Sequence, residues 1–259
     1  MEPNKISVVI VTFRRPAKLR ELLTGLPAFQ VIVIDNGSHD ETANLDTEFP
    51  EARFNHLQRN FGLTRALNIG IRASDGDYVL LLHDDMLIDA PAVTALAEFL
   101  ENRPDVAAVC PNFNGPQVRP LPTPANPDPA LQTPAPADEM AAECVSGAAI
   151  MVRIGFLRSM GHIDERYGNY GSEIELCAQV KSSGRKLLIL KNVAAQHNPT
   201  PSAVPATYLE GDRIGGTTAY LGKHHGFAAG LIYRLKSGLK ALVTFRFRAL
   251  AAAKIDGWG

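Results

Sequence analysis

Two acidic clusters about ninety residues apart carry the side chains best suited to chemistry. His83-Asp84-Asp85-Met86 closes the apolar run Tyr78-Val79-Leu80-Leu81-Leu82. Ser172-Glu173-Ile174-Glu175-Leu176-Cys177 follows the turn-rich Asp164-Glu165-Arg166-Tyr167-Gly168-Asn169-Tyr170-Gly171. Mg2+ and Mn2+ favour oxygen ligands, typically one or two carboxylates plus substrate phosphates. An acidic pair just beyond a buried strand offers such ligands on a rigid support. Asp85 is the expected metal ligand, and Asp84 would hold a ribose or a water on the ion. The plain alternative is a polar turn after a strand. Glu173 and Glu175 lie two apart on an expected helix, so they point in different directions. Glu173 is the candidate general base. Glu175 is expected to be structural, or simply an acid favoured at a helix start.

The elements that must position these groups are legible as a pattern. Ile6 to Val11 is β-rich and almost wholly apolar, as a strand buried on both faces of a parallel sheet reads. Pro16 opens a helix with Leu19, Leu22 and Leu23 on one face. Val31 to Ile34 is a second strand, stopping at the turn Asp35-Asn36-Gly37-Ser38 before a short helix. Arg53 to Leu57, Tyr78 to Leu82 and Val106 to Cys110 are further strands, with helices over Thr64 to Ala73 and Pro91 to Asn102. Strands alternating with helices imply a mostly parallel sheet, whose ligands sit outside the carboxyl ends of its strands. Thr12, Asp35 and residues 83–85 all fall at those ends. Asp35 can accept from a base imide or ribose hydroxyls. Asn60, Gly62 and Asn68 suit a helix start that approaches a nucleotide closely; a turn and cap is the plain alternative.

Residues 111–138 break this rhythm, holding nine of the eighteen prolines. Such density prevents regular ladders and leaves two readings, a disordered surface insertion or a flexible wall over an acceptor site. Order resumes over Glu143 to Arg153, followed by helices at Ile154 to Met160 and Glu173 to Ser183 and a strand at Lys186 to Leu190. His197-Asn198-Pro199 is expected to be a loop. Helical stretches near Pro205 to His224 and Ala228 to Lys254 finish the chain.

The net charge of −1 excludes a global field for nucleic acid. From Ile214 onward, however, seven lysines and arginines face the single acid Asp256. Such a tail suggests an anionic partner, either a membrane surface met by an interfacial helix or, as the competing reading, packing on the domain or a second subunit. Cys110, Cys144 and Cys177 match no zinc spacing and read as small buried hydrophobes. No leader-like opening and no apolar run of spanning length stand in the sequence, so a cytoplasmic protein is expected, peripheral at the inner face of the membrane if the tail binds there.

These residues resemble the family 2 glycosyltransferases, inverting enzymes of the GT-A fold. The likeness runs through Ser7 to Phe13, Val33 to Asp40, Asn60-Phe61-Gly62 with Asn68-Ile69-Gly70, and Gly76 to Asp85. It continues through Ser146 to Ala149, Gly161 to Tyr167, Glu173 to Cys177 and His197, covering about residues 5–225. The flavour is closest to the rhamnosyltransferase-like branch, typically fed by dTDP-rhamnose. The resemblance implies an α/β GT-A domain over 1–225 with the proline-rich loop inside it (111–140), and a basic amphipathic tail over 226–259. It implies that Thr12, Arg14, Asp35, Asn36, Gly37, Asn60, Gly62, Asn68, His83 and Asp84 line the nucleotide-sugar pocket. Asp85 and His197 would hold Mn2+ or Mg2+, and Glu173 would be the base. Three positions depart from the family pattern. His83 replaces the first acid of the metal motif, Ser172-Glu173 replaces a Glu-Asp pair, and Leu67 stands where arginine is common.

The expected function is transfer of a sugar, rhamnose for instance, from a dTDP- or UDP-linked donor to a saccharide or lipid-linked acceptor in surface polysaccharide synthesis. The alternative is a weak or inactive nucleotide-sugar-binding scaffold. A nicotinamide dehydrogenase would need a glycine fingerprint after the first strand, where Thr12-Phe13-Arg14-Arg15-Pro16 stands instead.

Overall fold

Alternation along the first strands shows why the chain builds a sheet covered on both faces. Ile6, Val8, Ile10, Val31, Val33, Leu80 and Leu82 enter one apolar cluster, while Val9, Ile32, Ile34, Val79 and Leu81 enter another. A period of two divides each strand between the two clusters. The computed structural model describes residues 5–26, 29–134 and 138–243.

In chain order the elements begin β1 (Ile6–Thr12), α1 (Pro16–Thr24) and β2 (Gln30–Asp35). A 3₁₀ turn (Glu41–Asn44) leads into α2 (Leu45–Glu48), β3 (Arg53–His56), α3 (Leu63–Arg72), β4 (Tyr78–His83), β5 (Met86–Leu87) and α4 (Ala90–Asn102). The second half runs β6 (Val106–Phe113), β7 (Val118–Arg119), β8 (Glu139–Ala141), β9 (Cys144–Val145), β10 (Ala149–Arg153), α5 (Ile154–Ser159), α6 (Ser172–Ser182), β11 (Lys186–His197), α7 (Ala206–His225) and α8 (Phe227–Val243). Among the described residues the main sheet has the order β3-β2-β1-β4-β10-β6-β11-β5, with β8 added beside β11. The first four strands are parallel. β10 then enters antiparallel to both β4 and β6, and β11 lies parallel to β6.

α1 and α4 cover one face through Leu19, Leu22, Leu96 and Leu100, and α3 and α6 cover the other through Ala66, Ile71, Ile174 and Leu176. α3 sits so near β1 that a Cβ on Gly70 would lie 2.3 Å from a Val9 methyl. α4 is capped by Asp89, whose carboxylate accepts from the Ala92 amide. All three cysteines are buried and unpaired, and burial pushes the Cys110 thiol up.

Two expectations change in ways that matter for the site, and a third falls partly outside the described residues. The strand expected to stop at Leu190 continues to His197, because Ala194 and Ala195 resume pairing with β6 beyond an irregularity after Leu190. His197 is therefore not a loop residue. It ends β11 and pairs with Met86 on β5. The proline-rich segment is ordered wherever described. β7 pairs with β9, Val118 bridges Gln132, and the buried Gln117 side chain donates to the Pro111 carbonyl. The last helix begins at Phe227, and its expected continuation to Lys254 lies outside the described residues beyond Val243.

Candidate active site

The carboxyl ends of β1, β2 and β4 open onto a cavity of about 210 Å³ lined by Thr12, Arg15, Asn36, Asn60, His83, Asp84 and Asp85. Residues 202–204, just beyond β11, and Leu209 of α7 close its far side. Two glycines shape the rim. Gly37 has φ +83°, and a Cβ there would meet the Arg59 carbonyl carbon at 2.4 Å. Gly62, at φ +86°, caps α3 and brings its first turn against Gly168, whose carbonyl accepts from Thr64. Asn36 pins the loop between them: its amide donates to Asn60 and to the Gly62 carbonyl, and its oxygen accepts from the Phe61 amide.

The acidic pair divides its work. Asp84 accepts from the Thr12 hydroxyl at 2.8 Å and from Arg15 at 2.8 Å. Burial pushes its carboxyl up, against the pull of Arg15 and Thr12. Asp85 points one oxygen toward Arg15 and the Thr200 amide. Its Oδ1 is buried without a hydrogen bond, 3.4 Å from His197 Nε2. Burial works against the charge of Asp85, but the His197 and His83 imidazoles and the Thr200 amide outweigh it and hold the carboxyl at about 2. His83 opens onto the cavity yet is enclosed by protein, and that desolvation lowers its pKa despite Asp85, Asp84 and Glu173 nearby. One ligand atom each from His83, Asp85 and His197 lies within 4.8 Å of the others. A neutral imidazole and an unsatisfied carboxylate oxygen are what a divalent cation needs, so these residues fit a metal.

A second cavity of about 160 Å³ adjoins the first, sharing Leu63, His83 and Asn169 with it. It is chiefly apolar, with Leu67, Leu81, Leu131, Ile163 and Leu176 in its wall. Glu173, in the first turn of α6, enters it. The absence of a side chain at Gly147 opens the way between the halves: a Cβ there would stand 3.2 Å from Glu173 Cβ and 3.8 Å from His83 Nε2. Glu173 accepts from Arg119 at 2.5 Å, and the negative charge raises the arginine's pKa against the cost of its burial. The guanidinium also lies 5.7 Å from the Tyr170 ring centroid, and the Tyr170 hydroxyl donates to Asp128, which Arg213 of α7 grips in turn. The proline-rich segment thus supplies Arg119, Leu131 and Asp128 and walls this cavity.

Not every expected residue faces the crevice. Asp35 is buried beneath the first cavity, accepting from the Ser38 amide and facing His56 Nδ1 at 3.1 Å. Asn68 spends its amide on Ile163 and Glu165. Arg14, at φ +56°, donates its backbone amide to Ser38 and lays its guanidinium over Phe13. The neighbouring Arg15 takes the place expected of it, joining the acidic pair to the Thr200 and Pro201 carbonyls. Position was the available signal, because Arg15 stands three residues beyond the carboxyl end of β1, just before α1. Arg119 gave none, standing inside a segment that reads as irregular. Glu175 is wholly turned from the crevice. It accepts from Tyr167 and Gln179 and meets Lys223 and His224 of α7.

This sheet order and crevice are those of the GT-A class of glycosyltransferases. Solved structures of similar fold include GalNAc-T7 with UDP, GalNAc and Mn2+ (TM-score 0.65, 15% identity, covering 74% of this chain and 43% of that one). S. aureus TarS 1-349 in complex with UDP-GlcNAc aligns with a TM-score of 0.61 at 16% identity, over 84% of this chain and 66% of that one. The Pyrobaculum calidifontis mannosyltransferase in complex with GDP-Man and Mn2+ aligns with a TM-score of 0.59 at 17% identity, over 98% and 76%. The chain belongs to glycosyl transferase family 2, whose pattern matches residues 7–154. Among curated relatives, the poly-beta-1,6-N-acetyl-D-glucosamine synthase of Staphylococcus aureus strain COL is 36% identical over 119 residues, 43% of this chain and 29% of that one. The Staphylococcus epidermidis synthase of the same name is 30% identical over 115 residues, 41% and 28%. The chain thus spans under a third of the length of these relatives.

Proposed function

We propose that this chain is an inverting, divalent-metal-dependent glycosyltransferase. It moves a hexosyl group from a nucleoside-diphosphate donor to a saccharide or lipid-linked acceptor in surface polysaccharide synthesis. One observation carries the reading: His83 is common to two adjoining cavities, one lined by Asp85, whose carboxylate lies 3.4 Å from His197, and the other by Glu173. Leaving group and nucleophile need such an arrangement on opposite sides of an anomeric carbon.

The donor's nucleotide lies along Thr12, Asn36 and Asn60, with its diphosphate toward Arg15. Asp85, His197 and His83 would hold a divalent cation, which would supply positive charge to offset the negative charge of the departing diphosphate. Two imidazoles beside one carboxylate suit Mn2+ better than Mg2+, which favours an all-oxygen shell. Glu173 accepts the proton of the acceptor hydroxyl. The new bond forms from that oxygen to the anomeric carbon as the bond to the phosphate oxygen breaks, and the configuration inverts. Arg119 orients Glu173 until the acceptor enters. The leucine-rich wall favours a sugar presenting a deoxy or N-acyl methyl group. dTDP-rhamnose, UDP-N-acetylglucosamine and GDP-mannose with Mn2+ form the first donor panel.

Glu173→Gln is expected to cut turnover at least ~100-fold with donor binding changed less than about twofold, measured by release of free nucleoside diphosphate and by calorimetry. Undiminished turnover removes Glu173 from the base role. The Glu173–Arg119 pair also favours a second reading, a nucleotide-sugar-binding scaffold whose carboxylate stays locked. Tight donor binding with no turnover on any acceptor extract would establish that reading instead.

A further inference from the structure

α8 reverses the usual arrangement of a surface helix. Its buried positions are the small Gly230 and Ala241, with Tyr233 partly buried beside them; a Cβ on Gly230 would lie 2.7 Å from the Thr218 carbonyl oxygen and 3.0 Å from the Gly222 amide nitrogen, so α8 and α7 are nearly in backbone contact. Its large apolar side chains face outward. Phe227 is 80% exposed, Leu235 63% and Leu239 65%, with Leu231 and Ile232 beside them. Among the described residues, the one other exposed large apolar side chain is Tyr208, on α7. Steps of four place Phe227, Leu231, Leu235 and Leu239 in one row, with Ile232, Lys236 and Lys240 in the adjoining row. A contiguous apolar strip of this kind marks an interaction surface.

We propose that this face of α8 docks the protein on an anionic lipid surface. Charge selects the occupant. Residues 227–243 contain Arg234, Lys236 and Lys240 and no acid. Asp128 and Glu210 line the groove that borders this face, together with Arg213, Lys236 and Lys240, so three cations there meet two acids. A second copy placed face to face would bring the same cations together. The chain's own last residues, 244–259, carry Arg246, Arg248 and Lys254 against Asp256, so they too repel this face. Phospholipid headgroups of negative charge attract it, and the leucine row enters the boundary beneath them. With cations set beside the apolar row, the described part of the helix is suited to lie along a bilayer, and no described helix is long and apolar enough to cross one. The inference is independent of the catalytic reading, and E173Q should bind lipid as the wild type does.

The test uses the full chain and vesicles of phosphatidylcholine, with or without phosphatidylglycerol. Wild-type protein should sediment with the phosphatidylglycerol vesicles, lose most binding as salt rises, and ignore pure phosphatidylcholine. Leu235→Ser with Leu239→Ser, and separately Lys236→Glu with Lys240→Glu, should each weaken binding at least ~10-fold. Because the native cysteines are buried, a fluorescent label on Leu235→Cys reports insertion directly. Its emission should shift blue with anionic vesicles, while a label on Glu21→Cys of α1 stays unchanged. Failure of wild type to bind, or binding by both double variants equal to that of wild type, overturns the proposal. So does a Leu235 label shielded from iodide without lipid. Shielding that grows with protein concentration identifies a second copy, and shielding independent of concentration identifies the chain's own tail.

Discussion

Glu175 offers a prediction that can be worked from the structure. Its side chain is 1% exposed, and its carboxylate meets Tyr167, Gln179, Lys223 and His224 at 2.7–2.9 Å. Burial alone would raise its pKa, but the bonds to His224, Lys223, Gln179 and Tyr167 outweigh that and hold it at about 2, against an ordinary 4.5. The folded value lies below the unfolded one, so the carboxylate's stabilisation is complete above about pH 4.5 and is lost as pH falls toward 2. The difference corresponds to about 3 kcal/mol, or roughly 6–12 °C in Tm for a chain of this size. Glu175→Gln keeps the volume and removes the charge. Urea unfolding of both proteins at several pH values provides the assay. The variant should be less stable by about 3 kcal/mol near neutrality, and the gap should shrink by more than half between about pH 6 and pH 3. A gap that stays constant across that range would falsify the assignment of this charge to α7 docking.

Two further outcomes test the crevice. Gly147→Ala places a methyl 3.2 Å from Glu173 Cβ and 3.8 Å from His83. It should lower turnover about tenfold while shifting stability by less than ~1 kcal/mol, so a large drop in Tm with normal specific activity would count against the passage. Asp85→Asn should weaken Mn2+ binding at least ~10-fold by calorimetry or electron paramagnetic resonance. Equal affinity in the variant would place the metal elsewhere.

Much of the donor half was readable because it is local. Strand alternation marked β1, β2 and β4, and the residues at their carboxyl ends could be placed on one edge without any tertiary contact. The Glu173–Glu175 divergence was legible for the same reason, since two residues on one helix turn diverge by geometry alone. What escaped depends on pairing across long separations. β10 enters antiparallel between β4 and β6, and nothing in Ala149–Arg153 announces that direction. His197 reaches Asp85 because β11 runs past its irregularity, while the Asn-Pro that follows reads as a loop signal. Arg119 is the sharpest case. Proline density says that its segment forms no long ladder, which is true, but two residues of β7 against β9 suffice to aim it at Glu173. The same composition describes a loose insertion and a rigid wall. Only the partners on α7 and α6 distinguish them.

The two cavities share the carboxyl edge of the sheet but differ in what a second stretch of chain, after Gly115, adds to them. The first is lined mostly from before Met86, and the second sets Arg119, Leu131, Gly147 and α6 against Leu63, Leu67, Leu81 and Leu82. β6, which precedes that second stretch, is a buried strand that contributes no lining residue to either cavity. Under the proposed reading, a recombination joint inside β6 would exchange Arg119, Leu131 and Glu173 together against an unchanged wall of Leu63, Leu67, Leu81 and Leu82, provided His197 and the strap after it were retained. Libraries of hybrid chains joined there could vary the residues around Glu173 while holding those at the ends of β1, β2 and β4 fixed.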